Sequence, residues 1–404
     1  MAPVNLAPMA ELPVVQGVQL AAVPAGIKAG RDDLSLITLP EGSTAAAVFT
    51  KNAFCAAPVI VAREHLAAAA PRALLINAGN ANAGTGDRGL ADARRCCQLV
   101  ADELGLSAEH VLPFSTGVIS EFLPMDAFER GVPMAVAALD EAGWHALARG
   151  IMTTDTQPKG ASRVIEVDGR PVAINGVVKG SGMIHPNMAT MLSYMATDAG
   201  VASPHLQQLL NTASDLSFNC ATVDGDTSTN DSFVLMATGQ SGVMLDPSQS
   251  AWRDFQNAVN ALSVELAQAM IRDGEGATKF ITLAVQGGES VEACRQVAFT
   301  VAHSPLVKTA FFASDPNIGR ILMAIGRSGL VDLDVGRIDI DLDEVALVRQ
   351  GQPASDYTEA RGQAVMNRDE ICVRIALGRG EADTRVWTSD LSHDYVSINA
   401  DYRS

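Results

Sequence analysis

The 404-residue chain is 48% hydrophobic and 19% charged, a globular composition that excludes long disordered tracts and suits two or three ordinary domains or one large layered unit. A formal net charge of −17 disfavours nucleic acid and anionic membrane as partners, because gripping phosphates takes a basic face. Six cysteines with no C-x-x-C pair make no disulfide framework, and the opening MAPVNLAPMAELPVV lacks the basic start and apolar run of a signal peptide, so reduced thiols and a cytoplasmic location are expected.

In chain order, LSLITLP and AAAVFT read as short strands, and ALLINAGN as a buried strand running into a Gly/Asn turn. ADARRCCQLVADELG has the pattern of an amphipathic helix closed by glycine, and VLPFSTGVIS that of a strand breaking at Thr116-Gly117. PMDAFERGVPMAVAALDEAG and WHALARGIM read as helices. In RVIEVDGRPVAINGVVKGSG, Asp-Gly and Asn-Gly between alternating apolar residues predict tight hairpin turns. ATMLSYMATDAG is strand or helix by periodicity alone. SPHLQQLLNTASDL reads as a helix with Ser203 as N-cap, DSFVLMATG as a strand and WRDFQNAVNALSVELAQAMIRD as a long helix. KFITLAVQGG is a strand, VEACRQVAFTVAHS a helix, and IDIDLDEVALV opens a strand-rich tail. Helices and strands mix without the regular alternation of a doubly wound sheet. The expected fold class is therefore α/β (α+β), a layered helix–sheet sandwich with largely antiparallel sheets.

The usual signatures of nucleotide, zinc-protease and serine-hydrolase sites are absent, and the seven histidines are scattered without metal-ligand spacing. DGDTSTND, residues 224–231, begins like a calcium loop. It fails at its sixth position, Thr229, and its twelfth, Leu235, and reads better as a hydroxyl-rich turn. The unusual stretch is KGSGMIHPNMATML, residues 179–192. Gly180, Gly182 and Pro186 turn the backbone hard just before the small Ala189 and the hydroxyl of Thr190. A threonine hydroxyl is a weak nucleophile without a base. Its own α-amine, freed by breaking the Ala189–Thr190 bond, would supply one, with a pKa of roughly 7.7–8.0. By residue type alone, the same stretch also reads as a turn entering a buried strand.

GSGMIHPNMATML, with Lys179 before it and Ser193 after, resembles the processing signature of the ornithine acetyltransferases, also called glutamate N-acetyltransferases. FCAAPV, NAGNANAGTG, STGVIS, GIMTTDTQPK, VDGDTSTND, DGEGATK, DPNIGRILMAIGRSG and DYVSINADYRS resemble that family's segments in the family's order, from about residue 49 to the end. The resemblance implies a self-processing, N-terminal-nucleophile-like architecture cut between Ala189 and Thr190. It implies chains 1–189 (alpha) and 190–404 (beta) forming one intertwined catalytic unit, in a heterotetramer of two alpha and two beta. It makes Thr190 the nucleophile and its amine the base, with Thr116 and Gly117 as the oxyanion hole. Thr153, Lys179, Thr190, Glu275, Asn399 and Ser404 would contact substrate. The implied reaction is ping-pong acetyl transfer from N2-acetylornithine to glutamate through an acetyl-threonine, needing no metal or organic cofactor. Some members of the family also take acetyl from acetyl-CoA.

Read by type alone, Lys179 and Glu275 are solvated surface charges, and Ser404 is a chain end that frays unless DYVSINADYRS anchors it through its apolar spacing. Two positions depart from the family's pattern: Ser120 where glycine is expected, and Ile318 where an aromatic is common. Two other classes compete with the acetyltransferase. One is an amidase or peptidase on a similar scaffold with water as acceptor, and the other is a non-enzymatic amino-acid-binding protein.

Overall fold

ALLINAGN, residues Ala73–Asn80, is apolar on both faces at its start, and the fold covers both. Leu74 and Ile76 pack to one side, and Ala73 and Leu75 to the other, as the two-residue period of a strand requires. The computed structural model describes residues 2–185 and 191–401, and its chain divides into two units. The larger comprises Ala7–Asn219 and Asp226–Met270. There Ala73–Asn80 lies in a four-stranded sheet ordered Gln19–Val23, Leu34–Thr38, Ala73–Asn80, Val111–Val118. A second sheet runs Thr44–Phe49, Ser232–Ala237, Leu192–Thr197, Arg170–Lys179, Lys159–Val167.

The two sheets face each other through Leu74, Ile76, Leu112 and Phe114 on one side and Val177, Leu192, Tyr194 and Val234 on the other. The Phe114 and Tyr194 rings meet edge to face at 5.3 Å. On the outer face of the first sheet, Leu75 and Val111 pack against Cys96, Cys97 and Val100 of the helix Gly86–Leu104 and Phe128 of Met125–Ala137. Gly105, left-handed at φ 65°, ends the first of these helices as the sequence predicts. Helices Ser203–Leu216 and Ala251–Arg272 lie on the second sheet, through Gln207 to the Ala47 carbonyl and Ser263 to Met195. The order is helix, sheet, sheet, helix, and most strand pairs are antiparallel. The expected layered α/β sandwich is what forms.

Three local expectations change. Asp168-Gly169 makes the hairpin turn, but Asn175-Gly176 lies inside the Arg170–Lys179 strand. A Cβ on Gly176 would sit 2.7 Å from Leu266 and 2.8 Å from Met195, so this glycine serves close packing. Ala202, not Ser203, caps its helix, because Pro204 sets the first turn and no side chain accepts there. The Val111–Val118 strand continues through Thr116-Gly117.

The smaller unit, Met1–Leu6, Cys220–Gly225 and Ile271–Ser404, is built on a six-stranded sheet. Its order is Gln352–Pro353, Val345–Arg349, Asp339–Leu342, Glu370–Ala376, Phe280–Gly288, Ala382–Ser389, with one parallel pair, Phe280–Gly288 beside Glu370–Ala376. Helices Val291–Ala302 and Ile318–Gly326 share its apolar core through Val297, Val301, Ile321 and Ile325.

Candidate active site

The end of the Val111–Val118 strand is shaped by glycine. Gly117 has φ 135°, and a Cβ there would fall 2.2 Å from the Gly79 carbonyl carbon and 2.5 Å from Asn80 N. No other residue fits without moving the neighbouring strand. The register slips at the same point, so that Asn80 faces both Thr116 and Val118. Buried amides hold this edge. Ser115 Oγ donates to Asn77 Oδ1 at 2.6 Å, and Asn230 Nδ2 donates to the carbonyls of Ala81 at 2.7 Å and Ser115 at 2.8 Å. Ser120, where glycine was expected, keeps the backbone glycine would favour, with φ 67°. The chain turns the same way there, at the cost of strain.

Lys179 ends the neighbouring sheet's Arg170–Lys179 strand at 4% exposure, which rules out the surface-charge reading. Its Nζ donates to Thr116 Oγ1 at 3.2 Å. A hydroxyl that accepts from an ammonium is a stronger donor through its own O–H. Lys179 is the register partner of Leu192, so the strand that begins just after Thr190 starts beside this cluster.

Asp155 was not singled out in the sequence, yet it ties several predicted residues together. Its Oδ1 accepts from Lys159 Nζ at 2.6 Å and from Gly180 N at 2.7 Å, and its Oδ2 accepts from Thr153 N at 2.9 Å. Arg31 donates to the carbonyls of Met152 and Thr153, and Thr154 Oγ1 lies 2.7 Å from Ser181 Oγ. Burial alone would raise the Asp155 carboxyl. The Lys159 and Lys179 charges, with the Lys159 and Gly180 hydrogen bonds, overcome it and hold the group well below the usual carboxylate range.

Asp231 is a second carboxyl the sequence reading passed over. Its Oδ1 accepts from Met191 N at 3.1 Å, and its Oδ2 is buried. Here burial wins. It pushes the carboxyl well above its ordinary value against the Met191 N–H, the Ser228 hydroxyl and the Lys179 charge. Within residues 224–231, read as a hydroxyl-rich turn, Asn230 N donates to Ser228 Oγ and Thr50 Oγ1 to the Ser228 carbonyl.

Ala189, Thr190 and Ser404 lie outside the described residues. Thr116, Gly117, Thr153 and Lys179 gather in the larger unit, whereas Glu275 and Asn399 belong to the smaller one. Glu275 is 8% exposed, again against a surface charge, and Asn399 Nδ2 donates to its Oε2 at 2.7 Å. The C-terminal helix His393–Ala400 buries no residue, and Val396 is 63% exposed. Polar contacts hold it instead of the expected apolar ones, with Ser392 Oγ donating to the Gly276 carbonyl at 2.6 Å and Tyr395 to Asp224. Gly276 is left-handed at φ 67°, and a Cβ there would lie 2.5 Å from Tyr395 N. No helix among the described residues is long and apolar enough to cross a membrane.

Two strand ends from facing sheets bring a buried lysine to a buried hydroxyl beside a glycine of positive φ, and comparison with known proteins gives the class, an acyltransferase of arginine biosynthesis. The chain belongs to the ArgJ family, whose model matches residues 19–404. It is 59% identical over 392 residues to the arginine biosynthesis bifunctional protein ArgJ of Methylococcus capsulatus, covering 96% of each chain. Among solved structures it is similar to the ArgJ of Bacillus halodurans, at 37% identity and a TM-score of 0.50, with 52% of this chain covering 98% of that one. It also matches the ornithine acetyltransferase of Mycobacterium tuberculosis, solved in complex with ornithine, at 32% identity and a TM-score of 0.38, over 44% of this chain and 94% of that one.

Proposed function

We propose that this protein transfers an acetyl group from N2-acetylornithine to glutamate in the cytoplasm, through an acetyl ester on Thr190. Autocatalytic cleavage of the Ala189–Thr190 bond frees the amine that acts as base. The Thr190 hydroxyl attacks the acetyl carbonyl and passes its proton to that amine. The Thr116 hydroxyl and the Gly117 N–H donate to the oxyanion. The amine's proton goes to the departing nitrogen, and ornithine leaves. The glutamate amine then attacks the ester and gives a proton to the Thr190 amine, which returns it to the displaced Thr190 oxygen, and N-acetylglutamate leaves. Lys179 receives the substrate α-carboxylate; Glu275 takes the side-chain amine of ornithine, while Thr153, Asn399 and Ser404 complete the contacts.

The observation that carries this reading is the contact of Lys179 with Thr116, opposite the strand that starts two residues after Thr190. The Bacillus halodurans relative supports scission, because 52% of this chain suffices to cover 98% of a chain in that crystal. We take the assembled enzyme as two alpha and two beta chains. The name "bifunctional" carried by the Methylococcus relative supports a second activity, glutamate acetylation from acetyl-CoA, which an assay of glutamate with acetyl-CoA alone tests.

Initial rates at varied N2-acetylornithine and glutamate test the mechanism. Parallel lines in double-reciprocal plots are expected, and intersecting lines would argue for direct transfer. Thr190→Ala should remain a single inactive chain of 42.3 kDa. Thr116→Ala should process and lose roughly 100- to 1000-fold in kcat, as removal of one oxyanion donor does.

A further inference from the structure

The residue that follows the nucleophile is gripped on both sides. The Met191 N–H donates to Asp231 Oδ1 at 3.1 Å, and the Met191 carbonyl accepts from Ser232 N at 3.0 Å. The peptide group is planar, so holding the Met191 N–H holds the plane of the peptide that joins Met191 to Thr190, and with it the axis about which the new chain end turns. Once the Ala189–Thr190 bond is broken, this peptide is the only covalent link that orients the new chain end.

Asp231 is itself fixed to the oxyanion side of the site. Its carbonyl accepts from Thr50 N at 2.9 Å, and the preceding Asn230 side chain donates to the carbonyl of Ser115, the neighbour of Thr116. One short turn thus connects the donors at Thr116-Gly117 to the backbone beside Thr190. Resting on the reading of Thr190 as nucleophile, we propose that Asp231 is a positioning residue for acetyl transfer, aiming the Thr190 hydroxyl and amine by holding the Met191 N–H.

The test compares Asp231→Ala and Asp231→Asn with the parent, each as the full chain expressed and allowed to process. Acetyl-Thr190 is titrated by mass spectrometry after mixing with N2-acetylornithine, so that kcat is expressed per competent site. A parent that forms no acetyl-Thr190 would sink the nucleophile reading itself, not this proposal. For processed Asp231→Ala, kcat per titrated site should fall by about 100-fold, the scale of a misplaced reacting group, with KM within about threefold. Asp231→Asn keeps an oxygen that can accept from Met191 N, so it should return to within about tenfold of the parent. A merely structural role would reduce the number of titratable sites and leave kcat per site at the parent's value, and that result overturns the proposal. If Asp231→Ala neither processes nor folds, Asp231→Asn decides. Processing and turnover within about tenfold of the parent support positioning. A loss of more than about tenfold, with a parent-like melting curve, overturns it in favour of a need for the carboxyl proton.

Discussion

Asp155 and Asp231 are both buried carboxyls near Lys179, and each accepts a backbone N–H at one border of the 181–190 segment. Asp155 holds Gly180 upstream and Asp231 holds Met191 downstream. Their carboxyls shift in opposite directions. Asp155 has Lys159 in contact, two backbone donors and the Lys179 charge, so it stays ionised. Asp231 has one backbone donor, the Ser228 hydroxyl and a more distant lysine, so burial prevails and raises it. Equal burial therefore does not give equal ionisation; the partners decide.

Asp155→Asn should break the comparison most severely. It removes the carboxylate in contact with the fully buried Lys159 ammonium, and breaking such a pair costs about 3–5 kcal/mol in urea denaturation at pH 7. A loss below about 1 kcal/mol would mean that the pair contributes little. Asp231→Asn at the same pH keeps an oxygen that accepts from Met191 N and removes a carboxyl whose charged form burial disfavours, so it should stay within about 1 kcal/mol of the parent.

The pH dependence separates the two with opposite signs. Asp155 has a folded pKa below its ordinary 3.8, so the unfolded chain binds more protons in that interval. Its stabilisation is present above about pH 4 and lost as pH falls through the folded value. Asp231 has a folded pKa above 3.8, so the folded chain binds more protons. Its contribution is present below about pH 4 and fades as pH rises toward the folded value. Denaturation from pH 3 to 8 should show a smaller acid-side loss in Asp155→Asn and a smaller decline with rising pH in Asp231→Asn. The same slopes in both variants would remove the distinction. The smallest effect is at a site without a carboxylate. Ser120→Gly should gain about 0.5–1 kcal/mol, the left-handed strain relieved less the added freedom of the unfolded chain.

The layered sandwich was legible because its strands are short apolar runs of two-residue period and its helices end at glycine or opened with clear amphipathic faces. Asn175-Gly176 misled because a glycine needed for packing against Met195 and Leu266 looks, in sequence, like one needed for a turn. Lys179 and Glu275 were legible only through resemblance, since residue type alone places such charges on the surface. The two carboxyls were missed although both lie in quoted segments, MTTD and STND. Their neighbours read as turn formers, and the partners that give them roles, Gly180, Lys159 and Met191, come together only through strand pairing and loop closure.

The most direct measurement is intact-mass analysis of the active enzyme after brief exposure to N2-acetylornithine without glutamate. Two chains should appear, the second beginning at Thr190 and heavier by one acetyl group that glutamate removes. A full-length chain that turns over while still joined between Ala189 and Thr190, or an acetyl group carried elsewhere, would contradict the account.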